Sequence, residues 1–135
     1  MALSAHLQFG DNKSGRYTSD YLLVDCRCSF RRSFDDLRPN GRPYCDSVEL
    51  QVVASGNNSL LYNWFTDKEE MCGRILFDLS SVTSDDANPT EEIQFENARC
   101  FSLQEHYDKD TRFRRLLKLA FEADEIIADD VAFNR

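Results

Sequence analysis

Apolar and polar residues alternate with a period of two through most of this chain, the pattern of strands that bury one face. Ala2–Phe9 sets Leu3, Ala5, Leu7 and Phe9 against polar neighbours and predicts a first strand. Gly10–Ser19 is polar, contains Gly15, and predicts the hairpin turn after it. Tyr21–Phe34 alternates for longer than an ordinary strand. It places Leu22, Val24, Cys26, Cys28, Phe30 and Phe34 on one face, and Tyr21, Leu23, Asp25, Arg27, Ser29 and Arg31 on the other. A strand of this length is expected to bend or change sheet part-way. Val48-Glu49-Leu50-Gln51-Val52 alternates again, and Gly56-Asn57-Asn58-Ser59 then supplies turn residues and helix N-cap candidates.

The period changes once with clarity. Leu60, Leu61, Trp64, Phe65 and Met71 recur at helical spacing, opposite Asn63, Thr66, Asp67, Glu69 and Glu70. This predicts one helix over about 58–72, with Trp64 and Phe65 buried against a sheet and Gly73 as a left-handed C-cap. Ile75, Phe77 and Leu79 return to the strand period. Ser80–Thr90, with Asp85, Asp86, Asn88 and Pro89, reads as a loop that lacks the spaced oxygen ligands of a calcium site. Ile93–Tyr107 is a second long strand, through Ile93, Phe95, Ala98, Phe101, Leu103 and Tyr107, and Asp108-Lys109-Asp110 is the turn beyond it. Thr111–Glu125 carries both periods. Phe113, Leu116, Leu117, Ala120 and Phe121 fit a helix, which local propensity favours, whereas Leu117, Leu119, Phe121 and Ala123 alternate. The tail from Ile126 to Arg135 offers Ile126, Ile127, Val131 and Phe133 for docking.

Length and composition narrow the classes. The 135 residues fit one domain, 1–135, with enough chain to bury a core, and 41% hydrophobic with 30% charged residues is ordinary for a soluble globular protein. No apolar run has the length of a membrane helix, and the first residues do not form a charged-then-apolar signal segment, so export by the general pathway is not expected. A net charge of −8 argues against nucleic acid as a partner. That charge is unevenly spread: residues 46–110 hold 14 acids against 4 bases, whereas residues 1–45 hold 7 bases against 5 acids. Separation of sign suits a molecule that meets copies of itself. Cys26, Cys28, Cys45, Cys72 and Cys100 form no CxxC pair and read as small buried hydrophobes; His6 and His106 have no ligand-spaced neighbour, so no metal or cofactor is expected.

Asp35, Asp36, Leu37, Arg38, Pro39, Asn40, Gly41, Arg42 and Pro43 read as a loop, since two Arg-Pro steps and a glycine disfavour a strand ladder. Its two guanidinium groups make it the candidate contact loop.

Several stretches together resemble a known family. They are Tyr21-Leu-Leu-Val-Asp-Cys-Arg-Cys-Ser-Phe-Arg-Arg, the Arg-Pro loop, the Val48–Val52 strand ending in Ala54-Ser55, Ser59-Leu60-Leu61-Tyr62-Asn63-Trp64, and Ile93-Gln-Phe-Glu-Asn-Ala-Arg-Cys leading to Gln104-Glu105-His106-Tyr107. In order and spacing, from about Ala2 to Ala123, they resemble the haemolysin-coregulated (Hcp/TssD) tube proteins of type VI secretion systems, nearest to the Bacteroidota branch. Gly41-Arg42-Pro43 matches a family triplet at a shifted position, and Cys45-Asp46 stands where that branch has a glycine pair.

The resemblance implies a mainly β fold, a two-sheet β-barrel with one flanking helix, whose copies close into hexameric rings that stack into a hollow tube. Sixfold closure of a ~30 Å barrel gives a ring about 80–90 Å across. It also makes Thr111–Ala123 a strand, paired with Ile93–Tyr107 across a tight turn. Implied partners are further copies of the chain, sheath, spike and baseplate proteins, and effectors. Implied localisation is the bacterial cytoplasm during assembly, then export through the type VI system.

Two other classes compete. Ten phenylalanines invite a monomeric barrel that holds an apolar ligand, although the same residues fill a core. Asp35/Asp36 and Glu91/Glu92 are paired acids, but no His, Cys or Ser arrangement completes a catalytic mechanism beside them.

Overall fold

In a computed structural model, residues 4–35, 38–54, 57–67, 69–78, 90–107 and 115–134 are described, with backbone alone at 4, 33–35, 38–42, 78 and 90. The elements are β1 (Ser4–Asp11), β2 (Arg16–Asp35), β3 (Arg38–Val53), α1 (Ser59–Thr66), β4 (Met71–Asp78), β5 (Thr90–Tyr107), β6 (Arg115–Ala128) and β7 (Val131–Asn134). The strands form one seven-stranded antiparallel sheet in the order β3-β2-β1-β4-β5-β6-β7. A further pairing of β3 with β6, from Val48↔Phe121 to Val53↔Leu116, closes β1 to β6 into a barrel. Closure removes most of the exposed ladder edge.

The ambiguous segment resolves as strand. Residues 115–123 lie in β6, paired with β3 on one side and β5 on the other, while 111–114 fall outside the described residues. Two ladders outweigh a helix preference of a few tenths of a kcal/mol per residue. The tail docks as β7, entered through Asp129 and Asp130 at φ 50° and 63°, the two-residue turn that suits strand twist. Gly15, at φ 73°, closes the β1–β2 turn, its N–H donating to Asp11 O at 2.9 Å.

The helix is shorter than the periodicity predicts. It ends at Thr66, where the Asp67 N–H donates to Asn63 O at 2.8 Å, and Met71 is already in β4. Gly73 is therefore no helix cap. It lies in β4 between Phe9 of β1 and Phe95 of β5, and a Cβ there would stand 2.2 Å from the Gln8 carbonyl oxygen. The glycine allows close passage of two backbones.

Trp64 is completely buried as expected. Its ring meets Phe9 at 5.1 Å and Phe121 at 5.2 Å, and its indole N–H donates to Ala98 O at 2.9 Å. Phe65, expected beside it, is 37% exposed. Eight helical residues present only a narrow stripe, and Leu61 and Trp64 occupy it.

Bulges set which face each long strand buries. In β2 the pairing moves from Leu23↔Val52 to Asp25↔Gln51, leaving Val24 as an extra residue. Tyr21 and Leu23 are buried before the bulge, and Cys26 and Cys28 turn inward after it, so Leu22 and Val24 are exposed, against the uniform face expected for them. In β5 one shift against β4 falls between Phe95 and Ala98, with Asn97 at φ 54°. Another against β6 leaves Phe101 unpaired and 54% exposed. Each added residue reverses the alternation, which no period-two reading anticipates.

Candidate assembly surface

Beyond the barrel, β2 and β3 continue as a two-stranded ribbon. The β1 ladder on β2 reaches only Leu23, and the β6 ladder on β3 begins at Val48. From Asp25↔Gln51 to Cys28↔Val48 they still run beside β6, and from Ser29↔Ser47 to Asp35↔Arg38 the two strands run on together as the ribbon. Phe30 stacks on Phe133 of β7 with centroids 4.6 Å apart, bracing the base of the ribbon, and Arg31 Nε lies 3.1 Å from Asp46 Oδ2.

The expected contact loop is for the most part strand. Asp35 pairs with Arg38, Phe34 with Pro39 and Ser33 with Asn40; Gly41, Arg42 and exposed Pro43 lie in β3, while Asp36 and Leu37 are outside the described residues. The ladder tolerates both prolines for separate reasons. Pro39 has a partner on one side only, which leaves its missing donor an open edge to face. Pro43 falls where Gly41, Arg42 and Pro43 stand opposite the single residue Arg32, between Ser33↔Asn40 and Arg31↔Tyr44.

The outward face of β2, β3, β6 and β5 is polar. It contains an open trough of about 380 Å³ whose lining includes Asp25, Arg27, Glu49, Gln51, Gln104 and Lys118. Elsewhere on β5, Arg99 is held by Glu70 at 3.0 Å, Glu122 at 3.5 Å and Asp124 at 2.9 Å; the hydrogen bonds to Asp124 and Glu70 push its pKa up. Arg115 joins Glu105 at 2.9 Å and the Tyr62 hydroxyl at 2.8 Å, and Tyr62 also donates to Glu105. Arg99 and Arg115 are thus each matched by carboxylates at partly exposed positions, where such pairs add little stability.

The five cysteines are free thiols. Burial pushes the Cys100 thiol up to about 11, and a hydrogen bond from one to the other raises Cys26 while lowering Cys28. Among the described residues no three His, Cys, Asp or Glu converge as metal ligands. Of the paired acids, Glu92 contacts Arg74 at 2.9 Å, which is bonded in turn to Gln8; Asp35 is in the ladder and Asp36 is undescribed. Within the barrel, Phe9, Phe95 and Phe121 pack on one another and on Trp64, so the rings that would line a ligand cavity fill the core instead.

A family model for the haemolysin-coregulated protein Hcp (TssD) matches residues 1–135. The chain belongs to the TssD family. The family's proteins are structural tube subunits of type VI secretion, not enzymes, and their hexameric rings stack. This chain is accordingly a structural subunit of the type VI secretion tube, a secreted component of that system. Solved structures agree in fold. Hcp1 from Flavobacterium johnsoniae superposes with a TM-score of 0.72 at 19% identity, covering 100% of both chains. Hcp1 from E. coli EAEC 042 gives 0.66 at 9% identity, covering 100% of this chain and 97% of that one. The SPP1 tail tube protein gives 0.60 at 9% identity, covering 99% and 77%. No curated protein sequence matches the chain. The mainly β barrel with one flanking helix is thus the Hcp fold.

Proposed function

We propose that this TssD chain closes into homohexameric rings and that the tip of the β2–β3 ribbon, residues 35–43, joins one ring to the next. The carrying observation is the ribbon itself. It leaves the sheet after Cys28, pairs β2 with β3 alone among the described strands from Ser29↔Ser47 to Asp35↔Arg38, and carries Arg38 and Arg42 in its outer half in a chain of net charge −8. Guanidinium groups on a projecting ribbon suit carboxylates on the next ring, where they speed encounter and fix register more than they add affinity. In this reading the stacked rings meet sheath, spike and baseplate proteins and carry effectors, and the subunit assembles in the cytoplasm before export through the type VI system.

An Arg38→Glu/Arg42→Glu variant tests the tip. The expected outcome is hexamers by multi-angle light scattering, no stacked tubes in micrographs, and no secretion. Tubes and secretion at wild-type level would reduce the tip to a connection.

A further inference from the structure

The tail strand β7 sits where the ribbon leaves the sheet. β6 keeps β5 on one side along its whole length, from Tyr107↔Arg115 to Ile93↔Ala128, so β3 and β7 share its other side. β3 occupies that side up to Val48↔Phe121, and β7 takes it over from Glu125↔Asn134 to Ala128↔Val131. β7 therefore fills the notch that β3 opens as it departs, and it lies against β3 there. Among the described residues no ladder joins β7 to β2 or β3. The link to the ribbon is the stack of Phe30 on Phe133, with centroids 4.6 Å apart.

That stack meets the ribbon at a point built to bend. The register shifts between Ser29↔Ser47 and Phe30↔Cys45, which leaves Asp46 as an extra residue in β3, and a bulge of this kind bends a strand pair. Arg31 Nε reaches the extra residue's carboxylate at 3.1 Å, and the Cys45 thiol donates to Ser47 O at 3.6 Å, so both contacts close the bulge from within the ribbon. Neither sets the ribbon's angle to the barrel. Phe133 can set it, because its backbone is held opposite the core residue Ile126 and its ring touches the first β2 residue past the bulge. The angle matters most at the tip. From Ser29 to Asp35 is six residue steps, a span of about 20 Å, so a swing of about 15° at the base carries the tip about 5 Å, beyond the reach of a hydrogen bond. A two-stranded ribbon does not hold itself to that tolerance, since an isolated hairpin is marginal in water.

We infer that β7 is a positioning strut for ring stacking: Phe133, stacked on Phe30, holds the β2–β3 ribbon at the angle from which its tip meets the next ring. The inference rests on the ring-joining reading of the tip and adds what aims it. Phe30 and Phe133 are positioning residues that act through the ribbon. Phe30 is 42% exposed, Phe133 is half-buried, and β7 lies outside the six strands that close the barrel, so the pair sits at the margin of the core.

The test compares Phe133→Ala, Phe30→Ala, the double variant and Phe133→Tyr. Each alanine variant should keep hexamers by multi-angle light scattering and a melting temperature within about 5 °C of wild type. Each should nevertheless yield at least about tenfold fewer stacked tubes in micrographs and about tenfold less secreted protein, and the double variant should be no worse than either single, because all three remove one contact. Phe133→Tyr keeps the ring and should stack as wild type does. Hydrogen exchange on the hexamers separates lost aim from general loosening. In Phe133→Ala, amides of 29–35 and 44–47 should exchange at least about tenfold faster, with those of 48–53 and 116–121 unchanged.

Tubes and secretion at wild-type level in Phe133→Ala overturn the strut. Lost hexamers in either alanine variant also overturn it, since the pair would then serve ring closure, and so does unchanged ribbon exchange alongside lost tubes. The Arg38→Glu/Arg42→Glu variant keeps the two readings apart. If it loses tubes while Phe133→Ala keeps them, only the strut fails; if it keeps them, the ring-joining tip fails and the strut with it.

Discussion

Replacing Trp64 with phenylalanine isolates one contact on which the helix depends. The ring would remain between Phe9 and Phe121, whose centroids lie 5.1 and 5.2 Å away, but the hydrogen bond to Ala98 O would be lost. That carbonyl lies beside the Asn97 bulge in a residue that is itself fully buried, so water has poor access to it. An orphaned buried acceptor costs about 1–3 kcal/mol, and loss of part of a large aromatic surface adds about 1 kcal/mol. Trp64→Phe is therefore expected to destabilise by about 2–4 kcal/mol. Trp64→Ala should cost at least about 3–5 kcal/mol, a large share of the 5–15 kcal/mol typical of a whole domain. Phenylalanine is the informative choice because it leaves a population folded enough to measure. The assay is urea unfolding followed by far-UV circular dichroism, since Trp64 is the only tryptophan and its fluorescence disappears with the substitution. A midpoint lowered at constant slope reads as lost native-state stability. A Trp64→Phe midpoint within about 0.5 kcal/mol of wild type would refute the claim that this hydrogen bond helps tie α1 to β5.

Two further predictions test the barrel itself. Gly73→Ala should destabilise by about 3 kcal/mol or more, because the new methyl meets the Gln8 carbonyl oxygen at 2.2 Å and neither paired strand can retreat; an unchanged denaturation midpoint would disprove that close passage. Cys100, whose thiol burial raises from 9.0 to about 11, should stay unalkylated by iodoacetamide at pH 8 in the native protein. An unfolded chain ionises this thiol first, so its contribution to stability is complete below pH 9 and lost as pH rises towards about 11; a stability that climbed through that window would contradict the burial.

What could be read in the sequence followed from side-chain period, and what could not depended on pairings between distant residues. Alternation located β1, β2, β4, β5 and the second part of β3, and the resemblance chose strand over helix for Leu117, Leu119, Phe121 and Ala123, all now buried in β6. The stripe through Leu61 and Trp64 identified the helix but not its end, because Met71 continues a helical period by coincidence while belonging to β4. Gly73 fits a C-cap by local rules; the proximity of Gln8, 65 positions earlier, is what requires it. The Asp35–Pro43 stretch carries turn chemistry in its composition, and only the partner strand shows that Pro39 and Asn40 lie in a ladder. Arg99 gathers Glu70 from before β4 and Glu122 and Asp124 from β6, and no spacing along the sequence announces that set.

The misread faces of β2 and β5 share a physical origin. A period-two reading assigns Phe101 to the core because Phe95 and Leu103 belong there, and it counts Val24 with Cys26 and Cys28 for the same reason. Bulges at Val24 and Phe101 reverse the phase, so the core keeps Leu23, Cys26, Cys100 and Leu103 while the two extra residues are expelled. Had the bulges served only to bend the sheet, small polar residues at those positions would have sufficed. Instead both expelled residues are apolar, and both lie where a ladder loses its second neighbour: Val24 directly after the last β1 pair, Phe101 three residues past the last β4 pair. The same two insertions that defeat the alternation rule therefore put Val24 and Phe101 on the surface, each where its strand has lost a neighbour.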